Sequence, residues 1–293
     1  ALAIDRAAKS LRVRSRGGGE DVLGYDALVL APGASAVRPP IPGIDHPRVR
    51  TLRTVPDAHA LRGWVQDGAR RAVVLGAGFI GLEAAEALRH AGLEVALVEA
   101  AQHVLPVVDP EIAAYVRAEL SKHGVAVHDG VAAERIDDDQ GRPVVALSDA
   151  TVLAADLVVL SVGVRPRSEL ARQAGLELTG SGAIVVDHEQ RTSDPHIWAV
   201  GDATASVHAV TGTVAPVALA TPANRGGRVA ANSIVGHGRR APRPLGTAVV
   251  RVVGLTIAMT GAPREALAAP ARDSLWSRFR RALFGDSKPV FED

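Results

Sequence analysis

Short apolar runs separated by glycine and proline recur along the chain and predict alternating strands and helices. Between residues 71 and 160 the predicted elements are, in order, strand Arg71–Leu75, helix Phe79–His90, strand Glu94–Glu99, a helix from Asp109 or Pro110 to about His123, strand Val125–His128, a hairpin of Val131–Asp137 with Pro143–Leu147, and strand Asp156–Leu160. Strands alternating with helices of about 10–15 residues are typical of parallel βαβ units. The pattern therefore predicts an α/β fold.

Weaker signals flank this stretch. The predicted elements are strand-like pieces at Ser10–Arg16 and Asp26–Leu30, a proline-rich connector over 36–50, a helix from Pro56 to about Gln66, a strand pair within 183–202, a helix from about Thr221 to Val235, and strands at 247–253 and 255–259. Polar residues at Asp138–Arg142 fit a hairpin turn. Three adjacent aspartates at 137–139 are therefore interpreted as a solvated hairpin tip, because no Gly or Glu follows at calcium-loop spacing.

Length and composition exclude several function classes. The 293 residues suggest about two domains. A net charge of +1, from 33 basic and 32 acidic residues, gives no strong field to attract nucleic acid or an anionic membrane. The absence of cysteine excludes disulfides, thiolate metal sites and a cysteine nucleophile within this sequence. No spanning apolar run or signal peptide is visible and the ten histidines show no ligand spacing, so we expect a cytoplasmic protein without a metal site.

The sharpest chemical signal is the glycine motif of residues 76–81, Gly76, Ala77, Gly78, Phe79, Ile80 and Gly81. It follows a predicted strand and opens a predicted helix, the context in which such a motif binds a dinucleotide. The first glycine permits a tight turn, the second lets a pyrophosphate approach the backbone, and the third allows close packing of helix on strand. The free amides and positive end of the helix would then hold the phosphates. The alternative is a glycine turn that only packs a helix.

Glu99 stands at the end of the second strand, where a carboxylate can accept both hydroxyls of an adenine ribose. It would repel a 2′-phosphate, and Ala100, Ala101 and Gln102 supply no arginine to offset this. NADH is therefore favoured over NADPH.

Four further residues carry open or weaker interpretations. Glu83 lies on the first turn of the same helix, either on the surface or near the nicotinamide end of the cofactor. Gly163 either lets the dinucleotide pass close to the backbone or is an ordinary turn glycine. Gly201 and Asp202 end an apolar run, so the backbone could approach a ligand while the carboxylate accepts hydrogen bonds from hydroxyls such as those of a ribityl chain.

The chain resembles the pyridine nucleotide-disulfide oxidoreductases, most closely the coenzyme A-disulfide reductase and NADH oxidase branch. The resemblance rests on YDALVLAPGA (25–34), LGAGFIGLEAAEAL (75–88), DPEIAAYVRAELSKHGV (109–125), TSDPHIWAVGDA (192–203), ATPANRGGRVAANSIVG (220–236) and GTAVVRVVGLTIAMTG (246–261). It implies two Rossmann-like dinucleotide-binding domains, with the NAD domain inserted in the FAD domain, and the start of an α+β C-terminal interface domain. The expected segments are 1–50 and 167–240 for FAD, 51–166 for NAD(P)H, and 241–293 for a truncated dimerisation domain with a basic tail.

The resemblance also implies site residues. It assigns residues 76–81 and Glu99 to NAD(P)H, and Gly201 and Asp202 to the FAD ribityl and pyrophosphate. The remaining flavin-adjacent positions that it implies are Ala31, Pro32, Gly33, Ala218 and Leu219, followed by the start of the helix after Thr221. The family normally begins with a strand, glycine motif and helix for the ADP half of FAD, which we do not find here. The FAD domain is therefore expected to be incomplete, and in the disulfide-reducing branch the redox cysteine lies in that same segment.

The expected function is an FAD-dependent oxidoreductase that takes hydride from NADH and passes electrons to a disulfide, peroxide or oxygen. The alternatives are a ferredoxin-reductase-like flavoprotein, a non-catalytic nucleotide-binding fragment, and a plain NAD-dependent dehydrogenase. Expected partners are a small-molecule or protein electron acceptor, with a second copy of the chain as a candidate, but neither nucleic acid nor membrane. In the tail, Leu275, Trp276, Phe279, Leu283 and Phe284 interleave with arginines, which fits either a helix packed on the body or a basic amphipathic helix at a membrane surface.

Overall fold

The computed structural model describes residues 1–268. Its helices are α1 (Val55–Gln66), α2 (Phe79–His90), α3 (Pro110–Lys122), α4 (Glu169–Gln173), α5 (Ala220–Ile234) and α6 (Arg264–Ala268). Its strands are β1 (Ala3–Asp5), β2 (Ser10–Arg14), β3 (Glu20–Gly24), β4 (Leu28–Leu30), β5 (Ala34–Ala36), β6 (Val49–Thr51), β7 (Arg71–Leu75), β8 (Glu94–Glu99), β9 (Val125–Asp129), β10 (Ala133–Asp139), β11 (Arg142–Leu147), β12 (Val152–Ala154), β13 (Leu157–Leu160), β14 (Val164–Pro166), β15 (Ile184–Val185), β16 (Ile197–Ala199), β17 (Thr204–Val207), β18 (Val214–Pro216), β19 (Ala248–Val252) and β20 (Leu255–Met259).

The main sheet has five parallel strands in the order β6-β13-β7-β8-β9. Helices α2 and α3 pack against β8 and β9. All four residues of β13 are buried, as are the last four of β7. A parallel strand covered on both faces is apolar throughout, which is why continuous apolar runs identified these strands. The α/β fold is therefore confirmed, and the predicted helix Phe79–His90 and strand Glu94–Glu99 coincide with α2 and β8.

Helix α1 begins at a capping box. The Thr54 hydroxyl accepts from the Asp57 amide at 3.3 Å, and the Asp57 carboxylate accepts from the Thr54 amide at 2.9 Å. This reciprocal pair satisfies two of the backbone donors that a helix start leaves without partners. Pro56 occupies the first turn, where its missing N–H costs nothing.

A second group of strands comes from both ends of the described chain. Parallel strands β4 and β16 pair with Leu30 opposite Ala199. Beside them lie an antiparallel sheet, β1-β2-β3, and a mixed sheet, β15-β17-β18, in which β15 is parallel to β17 and β18 is antiparallel to it. The other edge of β4 has no strand partner within residues 1–268, and Val29 on this strand is 43% exposed. A ribbon of β5 and β14 links this group to the main sheet.

The hairpin of β19 and β20 matches the strands predicted at 247–253 and 255–259. Its buried side chains, which include Val250, Val252 and Ile257, share one apolar cluster with Leu82 of α2. The C-terminal hairpin therefore packs on the helices of the main sheet. Whether it begins a dimerisation domain stays a prediction, as do the three boundaries between the four expected segments.

One expectation about strands was wrong, and an exposed strand was missed. The two strands within 183–202 are not partners: β15 pairs with β17, and β16 pairs with β4. The pattern could not reveal this, because β16 finds its partner about 170 residues away along the chain. Strand β3 was not predicted, since all five of its residues are exposed and show no alternation of burial.

The hairpin predicted around Asp138–Arg142 is formed by β10 and β11. Asp138 there accepts from the Gly141 amide at 2.8 Å and contacts His46 at 2.9 Å. Across residues 1–268, no group of three or more His, Asp or Glu side chains is arranged to hold a metal ion. None of the helices in that range has the length and apolar character that a membrane crossing requires. The amphipathic pattern predicted around Leu275–Phe284 lies outside the described residues.

Candidate functional site

Three strand ends of the main sheet meet at one edge. Leu75 of β7 lies opposite Val98 of β8 and Leu160 of β13. The glycine motif, Glu99 and Ser161 therefore leave the sheet side by side. Ligands of α/β proteins bind outside the carboxyl ends of parallel strands, and this edge is such a place.

The three glycines of the motif differ in the space that a Cβ atom would have. Gly76 has φ +98°, and a Cβ there would lie 2.5 Å from the Ser161 carbonyl oxygen. A Cβ on Gly81 would overlap the Gly76 carbonyl oxygen, so the helix start touches the turn directly. A Cβ on Gly78 would meet no heavy atom within 4 Å. Two glycines are thus required by close packing, whereas the third faces open space that a ligand could fill.

The start of α2 offers backbone donors to that space. Its first intrahelical bond runs from Leu82 N to Gly78 O at 3.0 Å. The amides of Gly78, Phe79, Ile80 and Gly81 have no acceptor within the described residues 1–268, and Gly78 contributes no capping side chain. Unpaired amides combined with the positive end of the helix dipole make an anion-binding position.

The backbone groups of the glycine loop are hydrogen-bonded to neighbouring segments of the chain. Gly76 N donates to Val98 O at 2.7 Å, Ala77 N donates to Glu99 Oε2 at 2.6 Å, and Ala77 O accepts from Leu105 N at 2.9 Å. Ala77 and Leu105 are fully buried, and Leu105 holds an unusual φ of +51°. The loop is therefore pre-shaped before any ligand arrives.

The Glu99 carboxylate is fixed by two amides. Its Oε2 accepts from Ala77 and its Oε1 from Ala101, the latter at 2.8 Å. Each carboxylate oxygen keeps a free lone-pair site, so the pair can still accept two hydroxyl groups. No cationic nitrogen lies within 4 Å of this carboxylate in the described part of the chain. The nearby arginine of α3, Arg117, is bound instead to Asp129 at 3.1 Å.

The other residues predicted for this edge differ in placement. Phe79 is half-buried, whereas Ile80 is 42% exposed at the helix start. Glu83 is exposed on α2 and makes no ion pair with residues 1–268. Gly163 has φ +109°, open space where a Cβ would be, and a carbonyl that accepts from Val37 N at 3.0 Å. The structure brings Gly163 to the edge but leaves both of its interpretations open.

A second edge is formed by β4 and β16. Because Leu30 lies opposite Ala199, the residues after these strands, Ala31 and Val200–Gly201, leave the pair together. Gly33 has φ +67° and its carbonyl accepts from Arg167 N at 2.9 Å. An apolar cavity of about 260 Å³ lies against β4 and includes Ala31 and Pro32 in its lining.

Gly201 and Asp202 form a 3₁₀ turn beside the start of α5. Gly201 has φ +79°, and its carbonyl accepts from Thr204 Oγ1 at 2.8 Å. The half-exposed Asp202 carboxylate has no hydrogen-bond partner among residues 1–268. Leu219 is the N-cap residue of α5, and Ala218 before it is exposed. The predicted residues 31–33, 201–202 and 218–219 thus belong to this second group of strands, apart from the main sheet.

Sequence reasoning missed Ser161, Ala101 and Leu105. Ala101 and Leu105 act through backbone amides, which leave no side-chain signature. Ser161 follows the predicted strand Asp156–Leu160 by one residue, so its position at the strand end was available as a signal, but its contacts were not.

Comparisons with known proteins found a matching family model and several similar proteins. The family model described as pyridine nucleotide-disulphide oxidoreductase matches residues 1–225. An NADH oxidase of Methanocaldococcus jannaschii is 36% identical over 260 residues, which cover 88% of this chain and 58% of that protein. The solved NAD-dependent persulfide reductase of A. fulgidus is 38% identical with a TM-score of 0.88, covering 90% of this chain and 49% of the other. The water-forming NADH oxidase of Lactobacillus brevis bound to NADH is 30% identical with a TM-score of 0.86, covering 90% and 59%. The chain spans about half the length of the proteins it matches.

Proposed function

Because the chain belongs to the pyridine nucleotide-disulphide oxidoreductase family, we propose that it acts in an FAD-dependent oxidoreductase. In this proposal hydride comes from NADH, and electrons pass to a disulfide, a peroxide or oxygen. Two of the relatives named above are NADH oxidases and the third is an NAD-dependent reductase, which supports NADH as the hydride donor. The observation that carries the proposal is the open space at Gly78, bordered by free amides on one side and by the fixed Glu99 carboxylate on the other.

The first edge fits the pyrophosphate and adenine ribose of NADH. The amides from Gly78 to Gly81 would donate to phosphate oxygens, and the dipole of α2 would favour their negative charge. Glu99 would accept the two ribose hydroxyls with the lone pairs left free by Ala77 and Ala101. The role of each residue in the motif Gly76–Gly81, and of Glu83 and Gly163 beside it, is part of this proposal.

The same carboxylate supports NADH over NADPH. A 2′-phosphate would stand next to the Glu99 charge, and like charges repel strongly where no cation offsets them. Residues 100–102 bring no cation, and Arg117 is engaged by Asp129. We therefore propose that NADPH binds much more weakly than NADH.

The second edge fits part of an FAD. The unpartnered Asp202 carboxylate suits a ribityl hydroxyl, and Gly201 and Gly33 allow close approach of the backbone. Ala31, Pro32, Ala218 and Leu219 complete this proposed set. When bound, the flavin supplies two-electron redox chemistry, while these residues orient it and exclude water. The division into segments 1–50, 51–166, 167–240 and 241–293, and a homodimer through the last of them, belong to the same proposal.

Two measurements test the proposal. Titration of the purified chain with NADH and NADPH, followed by nucleotide fluorescence, should show binding of NADH with a clear preference over NADPH. A visible spectrum after addition of FAD should show a bound flavin that bleaches when NADH is added under anaerobic conditions. Binding of NADH without any flavin binding would favour the alternative of a nucleotide-binding module without turnover. No binding of either nucleotide would refute both.

A further inference from the structure

Ser161 lies directly beneath the glycine turn. Its hydroxyl donates toward two carbonyl oxygens, Leu75 O at 2.9 Å and Gly76 O at 2.8 Å. Its backbone amide also donates to Leu75 O, at 2.8 Å. Although it is more than 80 residues away in sequence, Ser161 is thus bonded to both residues that begin the turn.

The same serine leaves no room for a side chain at two glycines of the motif. A Cβ on Gly76 would lie 2.5 Å from the Ser161 carbonyl oxygen, and a Cβ on Gly81 would lie 2.7 Å from the Ser161 hydroxyl oxygen. The residues Gly76, Gly81 and Ser161 therefore form one packed contact in which neither glycine can gain a side chain without a shift.

The Gly76 carbonyl needs a donor because it faces inward. Gly76 is buried and its carbonyl oxygen lies against the start of α2, where a Cβ on Gly81 would overlap it. Within residues 1–268, the donor to this oxygen is the Ser161 hydroxyl. An unpaired buried carbonyl is costly, so without that hydroxyl the peptide between Gly76 and Ala77 would gain from turning toward water.

We propose that Ser161 is a positioning residue for the dinucleotide pyrophosphate. By holding the Gly76 carbonyl, the hydroxyl fixes the peptide plane that leads into Ala77 and Gly78, and with it the direction of the free amides at the helix start. Ser161 touches no ligand itself. This inference rests on the proposed binding of NADH at the glycine motif.

The test compares two ligands in two variants. Ser161→Ala removes the hydroxyl and adds no volume. It should raise the Kd for NADH about two- to tenfold, the range expected for one hydrogen bond. The Kd for adenosine, measured by competition, should rise less, because the Gly76–Ala77 peptide reaches the ribose site only through the bond from Ala77 N to Glu99 Oε2. Adenosine carries the ribose that Glu99 would hold but has no phosphate, so only a defect in the phosphate loop separates the two ligands.

Ser168→Ala is the matched control. Ser168 is buried, and its hydroxyl, like that of Ser161, donates to a backbone carbonyl, that of Gly182, away from the main sheet. This variant should lose stability without changing the Kd for either ligand. If Ser161→Ala does not fold, Ser161→Cys, whose thiol is a weaker donor in the same place, should show the same selective weakening of NADH.

The outcomes are distinct. Wild-type Kd values for NADH in the folded Ser161 variant would overturn the inference, and so would equal weakening of NADH and adenosine, which would mean general loosening. A wild-type chain that binds no NADH would instead refute the proposed function on which the inference rests.

Discussion

Gly78→Ala separates binding from folding more cleanly than any other change in the motif. Gly78 has φ −75° and ψ −172°, a conformation that alanine adopts without strain, and the new methyl group would meet no protein atom within 4 Å. The free energy of unfolding should therefore change by no more than about 0.5 kcal/mol.

Binding should suffer because the methyl group occupies the space assigned to the pyrophosphate. Hydrogen bonds to a charged group contribute about 1.5–3 kcal/mol each. Loss of one such bond between the start of α2 and a phosphate oxygen would raise the Kd for NADH at least tenfold, since about 1.4 kcal/mol is a factor of ten.

The assay is a fluorescence titration with NADH, run beside thermal denaturation of the same samples. Gly63→Ala is the control. Gly63 lies within α1, outside the glycine motif, and its Cβ would also meet no atom within 4 Å. Alanine there should stabilise the helix slightly and leave the Kd unchanged. A Gly78→Ala protein that binds NADH as tightly as the wild type would refute the placement of the phosphates.

Three further outcomes follow from the same geometry. Gly81→Ala should destabilise the fold by about 1–3 kcal/mol in urea unfolding, because its methyl group would overlap the Gly76 carbonyl; unchanged stability would contradict that packing. Glu99→Gln should weaken NADH binding and strengthen NADPH binding, measured as the ratio of the two Kd values, and an unaltered ratio would remove Glu99 from the ribose site. Burial alone would raise the pKa of Asp194, but the hydrogen bond from Arg6 at 2.6 Å and that from the His196 amide outweigh it and hold the pKa below its usual value. A lowered pKa stabilises the fold above about pH 4 and loses that effect as the pH falls further, so Asp194→Asn should be less stable at pH 7 and show a weaker loss between pH 4 and pH 2; identical urea-unfolding profiles against pH would argue against this ion pair.

The local part of the nucleotide edge is readable from sequence because every requirement falls within a few residues. The run from Arg71 to His90 contains a buried strand, a turn with spaced glycines and an amphipathic helix, and periodicity reports each of these. Glu99 ends the next strand, and its position was predicted from the same kind of strand pattern. What periodicity could not give is the orientation of that carboxylate, which depends on two backbone amides rather than on any neighbouring side chain.

Contacts between distant segments are the part that sequence reasoning missed. Ser161 reaches Gly76 only because β13 and β7 are neighbours in the sheet, and β16 finds β4 across most of the chain. Neither pairing leaves a pattern in a single sequence, since strand partners are chosen by three-dimensional packing. The resemblance supplied the residues of the second edge, but it could not supply their contacts.

The two edges differ in how many of the contacts that shape them lie within residues 1–268. At the first edge, β13 is paired on both sides, and the contacts that fix the glycine turn all come from residues between 75 and 161. At the second edge, β4 is paired on one side within residues 1–268, and Asp202 has no partner there. Because the shape of the first edge owes nothing to the second, the proposed NADH site should be formed whether or not a flavin is bound. The proposed binding of NADH and the proposed binding of FAD are therefore separable, and each has to be measured for itself.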